Sequence, residues 1–306
     1  MLIFDINKRK NNMNIVIKSS LTLFVTMLIS FSVFAETLKI IIPAGADGSF
    51  NTRFQILKTD IEKTWGDSIK FVYGDNCMRG KNLMENEKGP MLTIWDAGFN
   101  LSKECNFKVT KKNIIAVETN GLRLCAKADS YFTAESLTTA GATYTVGHST
   151  PHTAYQKWIN GYNTSTGTLL KAIPYSSSGK ARRGLIAGDI DFVFISPSNS
   201  NKLMKAGGIC FFSTLEGGEP KHSLPALASV TSFDKAVINQ SYFYAVKNVD
   251  KKKIKALRQL FSNIADGDSS AFTKFVGTKD IYMKGMNQMN EKEMVKLINN
   301  TVNYWK

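Results

Sequence analysis

The feature that most constrains the fold is a repeated alternation of short apolar runs with helical segments. The runs LKIII (Leu38–Ile42) and IKFVY (Ile69–Tyr73) each end in a turn, and residues of helical periodicity follow both turns. A third run, MLTIW (Met91–Trp95), is closed by the turn DAG, and NIIAV (Asn113–Val117) is a fourth. This order of strands and helices predicts a parallel sheet with right-handed crossovers.

The alternation starts again at Leu122. Strand-like runs are LRLCAKA, TYTVG, LLKAIPY, DFVFIS and GICFFS, with helical segments between them. A strand then returns at Gln240–Val246, and the tail reads as helices at Lys251–Ala265, Ser269–Val276 and Glu291–Tyr304. Because this tail has no sheet of its own, it must pack on an existing one.

We therefore predict an α/β protein of two lobes, each a mostly parallel sheet flanked by helices, with a ligand cleft between the lobes. Ligands of such sheets bind beyond the carboxyl ends of the strands. Lobe 1 is expected to comprise residues 36–121 and the return strand and C-terminal helices of residues 241–306. Lobe 2 is expected at residues 122–240.

Residues 1–35 have the organisation of a secretory signal peptide. Four basic residues precede the apolar run LTLFVTMLISFSVFA, which is shorter than the roughly 20 residues that a membrane span needs. Small residues, Val33 and Ala35, stand where a signal peptidase requires them, so we expect cleavage between Ala35 and Glu36 and a periplasmic location. The alternative is an uncleaved membrane anchor.

The formal net charge of +14 favours anionic partners without choosing among them. Residues 1–35 hold four basic residues and one acidic residue, so their removal lowers the charge by three, to +11. Export, scattered lysines and the lack of a zinc-finger spacing argue against a nucleic-acid partner.

The cysteine pattern fits an exported protein. Cys77 and Cys105 both follow predicted strands, and we favour a disulfide between them. Cys125 and Cys210 lie inside predicted strands, where either a second disulfide or two buried thiols are possible. The chain has no C-x-x-C pair, which argues against a redox-active site.

Small and hydroxyl-bearing residues occupy three loops between a strand and a helix, where backbone N–H groups can approach an anion. Such residues are also common helix caps, so a single loop is weak evidence, and the three together carry the prediction. The candidate ligand-binding residues of these loops are Gly45, Ala46, Asp47, Ser49, His148, Ser149, Thr150, Tyr175, Ser177 and Ser178.

Three further candidates lie at strand ends. Trp95 and Asp96 close the third strand, where they could form an aromatic wall and an acceptor for a ligand donor. A tryptophan packed in its own lobe and an aspartate that caps a turn are the structural alternative. Ser196 closes another strand and is expected to face the cleft. Arg53, Arg182 and Arg183 lie on predicted helices, where a solvated face is the default expectation.

The sequence offers little support for a catalytic or metal-binding motif. His148 and His152 are four residues apart, but Pro151 separates them, and the chain has no HExxH and no G-x-S-x-G. We expect no catalytic residues, no metal and no cofactor. An enzyme on the same fold would have to use His148 with Ser149, or His152 with Cys77.

With these motifs in place, the chain resembles the substrate-binding proteins of tripartite tricarboxylate transporters, the Bug-type family. The family's opening strand and Pro-Ala-Gly-Gly turn correspond to IIIPAGADGSFNTR, and its second-lobe turn and helix to GHSTPHTAYQKW. Its later motifs correspond to IPYSSSGKARRGLIAGDIDFVF and MKAGGICFFST. The order and spacing match over nearly the whole mature chain, as in a divergent member.

The resemblance implies the type 2 periplasmic binding protein fold and a small carboxylate ligand held between the lobes. Carried over by position, it implicates Ala46 and Asp47 on one side and Ser149, Thr150, Ser177 and Ser178 on the other. The expected protein is a monomer that closes around a small anionic metabolite and docks on membrane permease subunits. The alternatives are a secreted enzyme on this fold and a solute sensor that serves a signalling partner.

Overall fold

The computed structural model describes residues 36–149, 154–215, 217–229, 231, 233, 240–267, 281–284 and 289–304. The predicted signal peptide (1–35) and the predicted helix Ser269–Val276 lie outside these residues. Within them, no helix is long and apolar enough to cross a membrane. Residues Thr37–Lys306 form one compact unit, which contains both sheets described below.

The first lobe is built on a six-stranded sheet with the order β11-β4-β10-β3-β1-β2. Its strands are β1 (Leu38–Ile42), β2 (Ile69–Tyr73), β3 (Met91–Asp96), β4 (Ile114–Asn120), β10 (Gln240–Lys247) and β11 (Ile281–Lys284). Its helices are α1 (Ser49–Trp65), α2 (Cys77–Asn86), α6 (Lys251–Ala265) and α7 (Glu291–Tyr304).

The second lobe is built on a five-stranded sheet with the order β7-β6-β8-β5-β9. Its strands are β5 (Arg123–Lys127), β6 (Thr145–Ser149), β7 (Lys171–Tyr175), β8 (Phe192–Ile195) and β9 (Gly208–Ser213). Its helices are α3 (Ala154–Thr166), α4 (Ser178–Ala187) and α5 (Pro197–Lys205).

Helix α1 shows how the sequence pattern produces the packing. Phe54, Leu57, Ile61 and Trp65 recur at helical spacing and are buried against the first sheet, whose strand β1 is itself almost wholly buried. The helix ends at Gly66, whose φ of 84° is the left-handed conformation that glycine adopts without a side-chain clash.

The sheets contain more antiparallel pairing than the alternation of strands and helices predicts. Strand β1 is parallel to β2 and β3, and β6 is parallel to β7 and β8. However, β10 runs antiparallel between β3 and β4, and β5 runs antiparallel to β8 and β9. The cause is that the chain changes lobe after β4 and returns at β10, so these neighbours are not joined by a helical crossover.

The C-terminal tail is not wholly helical. The short strand β11 pairs antiparallel with β4 at the edge of the first sheet. Sequence periodicity gave no sign of this strand, since four residues are too few to show an alternation.

Both cysteine pairs form disulfides. Cys77, the first residue of α2 rather than a loop residue, is bonded to Cys105, which confirms the favoured pair. Cys125 and Cys210 face each other on the neighbouring strands β5 and β9 and are also bonded, so of the two alternatives left open the disulfide is the one formed.

Candidate functional site

One cavity is lined by residues of both lobes. Its first-lobe lining comes from the loop before α1, the start of α1, the end of β3 and the return strand β10. Its second-lobe lining comes from the end of β6 and the start of α4. The lining residues are Ala44, Gly48, Ser49, Phe50, Asp96, Phe99, Ser149, Ser176, Ser177, Ser178 and Tyr242.

The cavity is small. Its volume is about 20 Å³, which is room for about one water molecule. A small carboxylate needs more space than this.

The first-lobe side of the cavity is the N-terminus of α1. Gly48 caps the helix in an extended conformation, and none of the described side chains caps it by a hydrogen bond. The unpaired N–H groups of such a helix start favour an anion. The small side chains of this loop allow a ligand to approach those groups.

A buried ion pair fixes the position of α1. Arg53 and Glu118 are both fully buried and form a bidentate ion pair, with Nε to Oε1 at 2.8 Å and Nη2 to Oε1 at 2.6 Å. Arg53 Nη1 also donates to the Ser49 carbonyl, and the Tyr244 hydroxyl donates to Glu118. The assignment of Arg53 as a solvated residue is therefore wrong: it ties the start of α1 to the sheet.

The second-lobe side of the cavity is the N-terminus of α4. Ser177 is its cap, with Oγ accepting from the backbone N–H of Lys180. The neighbouring Ser176 hydroxyl is shielded from solvent and has no hydrogen-bond partner among the described residues. A buried hydroxyl without a partner costs about 1–3 kcal/mol, so this group is suited to contact a ligand.

The lobes touch at Asp47. The Ser177 hydroxyl donates to Asp47 Oδ1 at 2.8 Å, and Arg183 on α4 pairs with Asp47 Oδ2. Burial raises the pKa of Asp47, but the hydrogen bonds from Ser177 and Arg183 and the charge of Arg183 outweigh it, and the pKa lies below its usual value. Arg183, assigned to a solvated face from the sequence, is half-exposed but is also a contact between the lobes.

The same contact requires a glycine on α4. A Cβ atom added to Gly179 would lie 2.8 Å from the Asp47 carbonyl oxygen, closer than real Cβ atoms approach. The closed arrangement of the lobes therefore depends on glycine, which has no side chain, at position 179.

The floor of the cavity is formed by Asp96 and Tyr242, which are paired neighbours on β3 and β10. Asp96 is 6% exposed, and its Oδ1 accepts a 2.8 Å hydrogen bond from the backbone N–H of Gly98. Burial raises the pKa of Asp96 to about 7, against the lowering effect of the Gly98 bond. Burial also raises the pKa of Tyr242 well above its usual value, so this phenol stays neutral.

Several predicted site residues line the cavity, and others lie beside it. Those that line it are Ser49, Asp96, Ser149, Ser177 and Ser178. Gly45 and Ala46 belong to the loop before α1, where the Gly45 carbonyl accepts from Gly48 and the exposed Ala46 accepts from the Asn51 side chain. Thr150 lies outside the described residues.

Four predicted residues are placed away from the cavity lining. Trp95 is fully buried in the first-lobe core against Phe99 and Phe107, as in the structural alternative. The ring of His148 stacks on that of Tyr155. Tyr175 packs under α4, where it fills the space that a side chain at position 184 would need, and Ser196 caps α5 beside Ser198.

Sequence reasoning missed several lining residues, namely Ala44, Gly48, Phe50, Phe99, Ser176 and Tyr242. Ser176 could have been included from its place in the same serine run. Tyr242 has no sequence signal, because it reaches the cavity only through the pairing of β10 with β3. Among the described residues, no group of three His, Cys, Asp or Glu side chains could hold a metal ion.

Comparison with known proteins finds relatives only by structure. No protein-family model matches the chain, and no curated protein sequence matches it with significance. Similar solved structures include the periplasmic binding protein BugD (15% identity, TM-score 0.70) and MatC from Rhodopseudomonas palustris with bound malate (14%, 0.71). An R. palustris protein with adipate is also similar (13%, TM-score 0.74).

These matches extend over most of both partners. Each covers 88% of this chain, together with 94% of the BugD and adipate-bound structures and 97% of MatC. A TctC solute-binding protein from Polaromonas matches with a TM-score of 0.57 at 14% identity. The resemblance drawn from the sequence is confirmed at the level of the fold: the chain has the two-lobed fold of Bug- and TctC-type periplasmic binding proteins.

Proposed function

We propose that this protein is a periplasmic solute receptor that closes around a small carboxylate and delivers it to a membrane permease. The observation that carries the proposal is the convergence of two helix N-termini, one from each lobe, on a single cavity. Serine hydroxyls and N–H groups at such helix starts bind carboxylates without a cationic side chain. The structural neighbours that hold adipate and malate support the same ligand class.

A hinge motion is part of this proposal, because the cavity has room for only about one water molecule. A ligand that binds the closed form better than the open form shifts the population toward closure. The Asp47 contacts with Ser177 and Arg183 then hold the lobes together over the bound ligand. Both contacts join side chains of different lobes, so opening breaks them.

We propose binding without catalysis. One enzyme arrangement considered from the sequence needs Cys77 as a nucleophile, but this residue is committed to the disulfide with Cys105. The other needs His148 as a base for Ser149, but His148 is only 1% exposed and its ring lies flat against Tyr155. The test is a search for turnover: a ligand that is released chemically unchanged supports a receptor.

The ligand proposal is tested by thermal unfolding and calorimetry of the mature protein against mono- and dicarboxylates, hydroxy acids, amino acids and inorganic phosphate. We expect at least one carboxylate to raise the Tm and to bind with a single site. Ser176→Ala should weaken this binding by several-fold, because it removes the one buried lining hydroxyl that lacks a partner among the described residues. No shift with any compound would refute the proposal.

Delivery to a permease is tested in cells. Deletion of the gene should abolish high-affinity uptake of the ligand, and expression of the intact protein should restore it. Normal uptake combined with a lost transcriptional response to the ligand would instead favour the sensor alternative.

A further inference from the structure

The charges around the cavity are asymmetric. Of the lining residues that the structure describes, Asp96 alone carries a titratable acid or base side chain that ionises near neutral pH, and none is Lys or Arg. The opposite wall consists of helix starts and serine hydroxyls, which favour negative charge. The cavity thus has one side that attracts an anion and a floor that presents a carboxyl group.

Asp96 belongs to a shielded cluster rather than to the solvent surface. Its neighbour Tyr242 stays neutral, and the guanidinium of Arg53 lies over the Tyr242 ring at 5.2 Å from its centroid. The charge of Arg53 is already matched by Glu118. Tyr155 on α3 also contributes to the raised pKa of Tyr242, and its ring is stacked on that of His148.

A simple carboxylate and an amino-bearing carboxylate meet this floor differently. The first brings negative charge toward Asp96 and binds well only when Asp96 holds a proton. The second can place its carboxylate at the helix starts and its ammonium group on an ionised Asp96, which forms a charge-assisted hydrogen bond. The dipolar ligand therefore satisfies both sides of the cavity.

We infer that the ligand is a small carboxylate that carries a protonated amino group, with Asp96 as the residue that binds this group and selects for it. The inference rests on the proposed function, since it concerns the same cavity. It goes further by assigning the ligand class and one specificity-determining residue. The ammonium group offsets the unfavourable burial of the Asp96 carboxylate.

The test compares acids that differ only by an amino group: aspartate against succinate, glutamate against glutarate, and alanine against propionate. For the wild-type protein we expect at least one amino-bearing member to bind about tenfold or more tightly than its partner. Asp96→Asn should weaken the binding of that member by about 10- to 100-fold and leave the amine-free partner unchanged or improved. Asn keeps the oxygen that accepts from Gly98, so the variant should fold.

The pH dependence gives a second readout that needs no variant. Because burial raises the pKa of Asp96 to about 7, ligand affinity should increase about tenfold between pH 6 and pH 8 as Asp96 ionises. The Asp96→Asn protein should lack this pH dependence, which assigns the dependence to Asp96.

The outcomes distinguish the two proposals. If no compound binds, both the solute-receptor function and this inference fail. If an amine-free acid binds as tightly as its amino-bearing partner, or if affinity falls as the pH rises, the inference fails and the receptor function stands. Unchanged binding of the amino-bearing ligand by Asp96→Asn overturns the inference in the same way.

Discussion

The contact between Gly179 and the first lobe gives a direct test of lobe closure. Gly179 is the second residue of α4, and its φ lies outside the left-handed region, so alanine fits the helix itself. In the closed arrangement, however, the added Cβ would lie 2.8 Å from the Asp47 carbonyl oxygen. The substitution Gly179→Ala therefore opposes closure without opposing the fold.

The two effects of this substitution have opposite signs. Alanine in a helix is more favourable than glycine by about 0.5–1 kcal/mol, which should raise the stability of the open form. Insertion of one methyl group into a close contact costs about 1–3 kcal/mol, because the lobes or the backbone must shift. The closed form should thus become about 5- to 150-fold less populated relative to the open form.

The assay measures the stability of the ligand-free variant and its affinity for the ligand. Thermal unfolding of the ligand-free protein should give a Tm equal to or above that of the wild type. Calorimetry with the ligand found in the panel should give a Kd about 5- to 150-fold weaker. Small-angle X-ray scattering at a ligand concentration that saturates the wild type but not the variant should show a larger radius of gyration for the variant.

Lys180→Ala is the matched control. This residue is adjacent on the same helix turn, and its side chain is exposed, so the substitution leaves the contact with Asp47 intact. Wild-type affinity is expected. If Gly179→Ala also binds with wild-type affinity and scatters like the closed wild-type protein, the reasoning from this contact is refuted.

Three further predictions concern stability. Glu118→Gln leaves the buried Arg53 without its counter-charge and should lower the free energy of unfolding by about 3–5 kcal/mol. Urea titrations measure this loss, and a loss below about 1 kcal/mol would contradict the buried ion pair. Replacement of Cys125 and Cys210 together by serine opens a link of sequence separation 85 and should lower the free energy of unfolding by about 2–5 kcal/mol, seen as a lower Tm; an unchanged Tm would argue against the bond. Burial raises the pKa of Asp96 from 3.8 to about 7, so the free energy of unfolding of the ligand-free protein should fall by up to about 4 kcal/mol as the pH rises from 3.8 to about 7. The Asp96→Asn protein should not show this fall, and equal pH profiles of Tm for the two proteins would contradict the prediction.

Much of the secondary structure could be predicted because it depends on neighbours along the chain. The bounds of β1, β2 and α7 are those that apolar runs and helical periodicity predict. Ser149, at the end of β6, and Ser177, the cap of α4, are candidate ligand contacts from the sequence, and both residues line the cavity. The boundaries of the lobes, by contrast, stay a prediction.

Residue roles that depend on distant contacts could not be predicted. Arg53 and Arg183 are both arginines on helices, yet one is wholly buried with Glu118 and the other reaches across to Asp47. Each partner lies more than 60 residues away along the chain, and helical periodicity carries no information at that separation. Trp95 is similar, since it is buried in a wholly buried strand and packs against Phe107, which its position at a strand end does not reveal.

The sequence by itself determined the alternation of strands and helices, the small and hydroxyl-bearing loops between them, and the favoured pairing of Cys77 with Cys105. Local propensity and hydrophobic period decide these features, and both can be judged within a few residues. Only the tertiary structure decided that β10 returns between β3 and β4, which puts Tyr242 beside Asp96 and makes that carboxyl a buried floor. The physical reason is that burial, and with it the raised pKa of Asp96, arises from segments that are far apart in the sequence and meet only in the folded sheet.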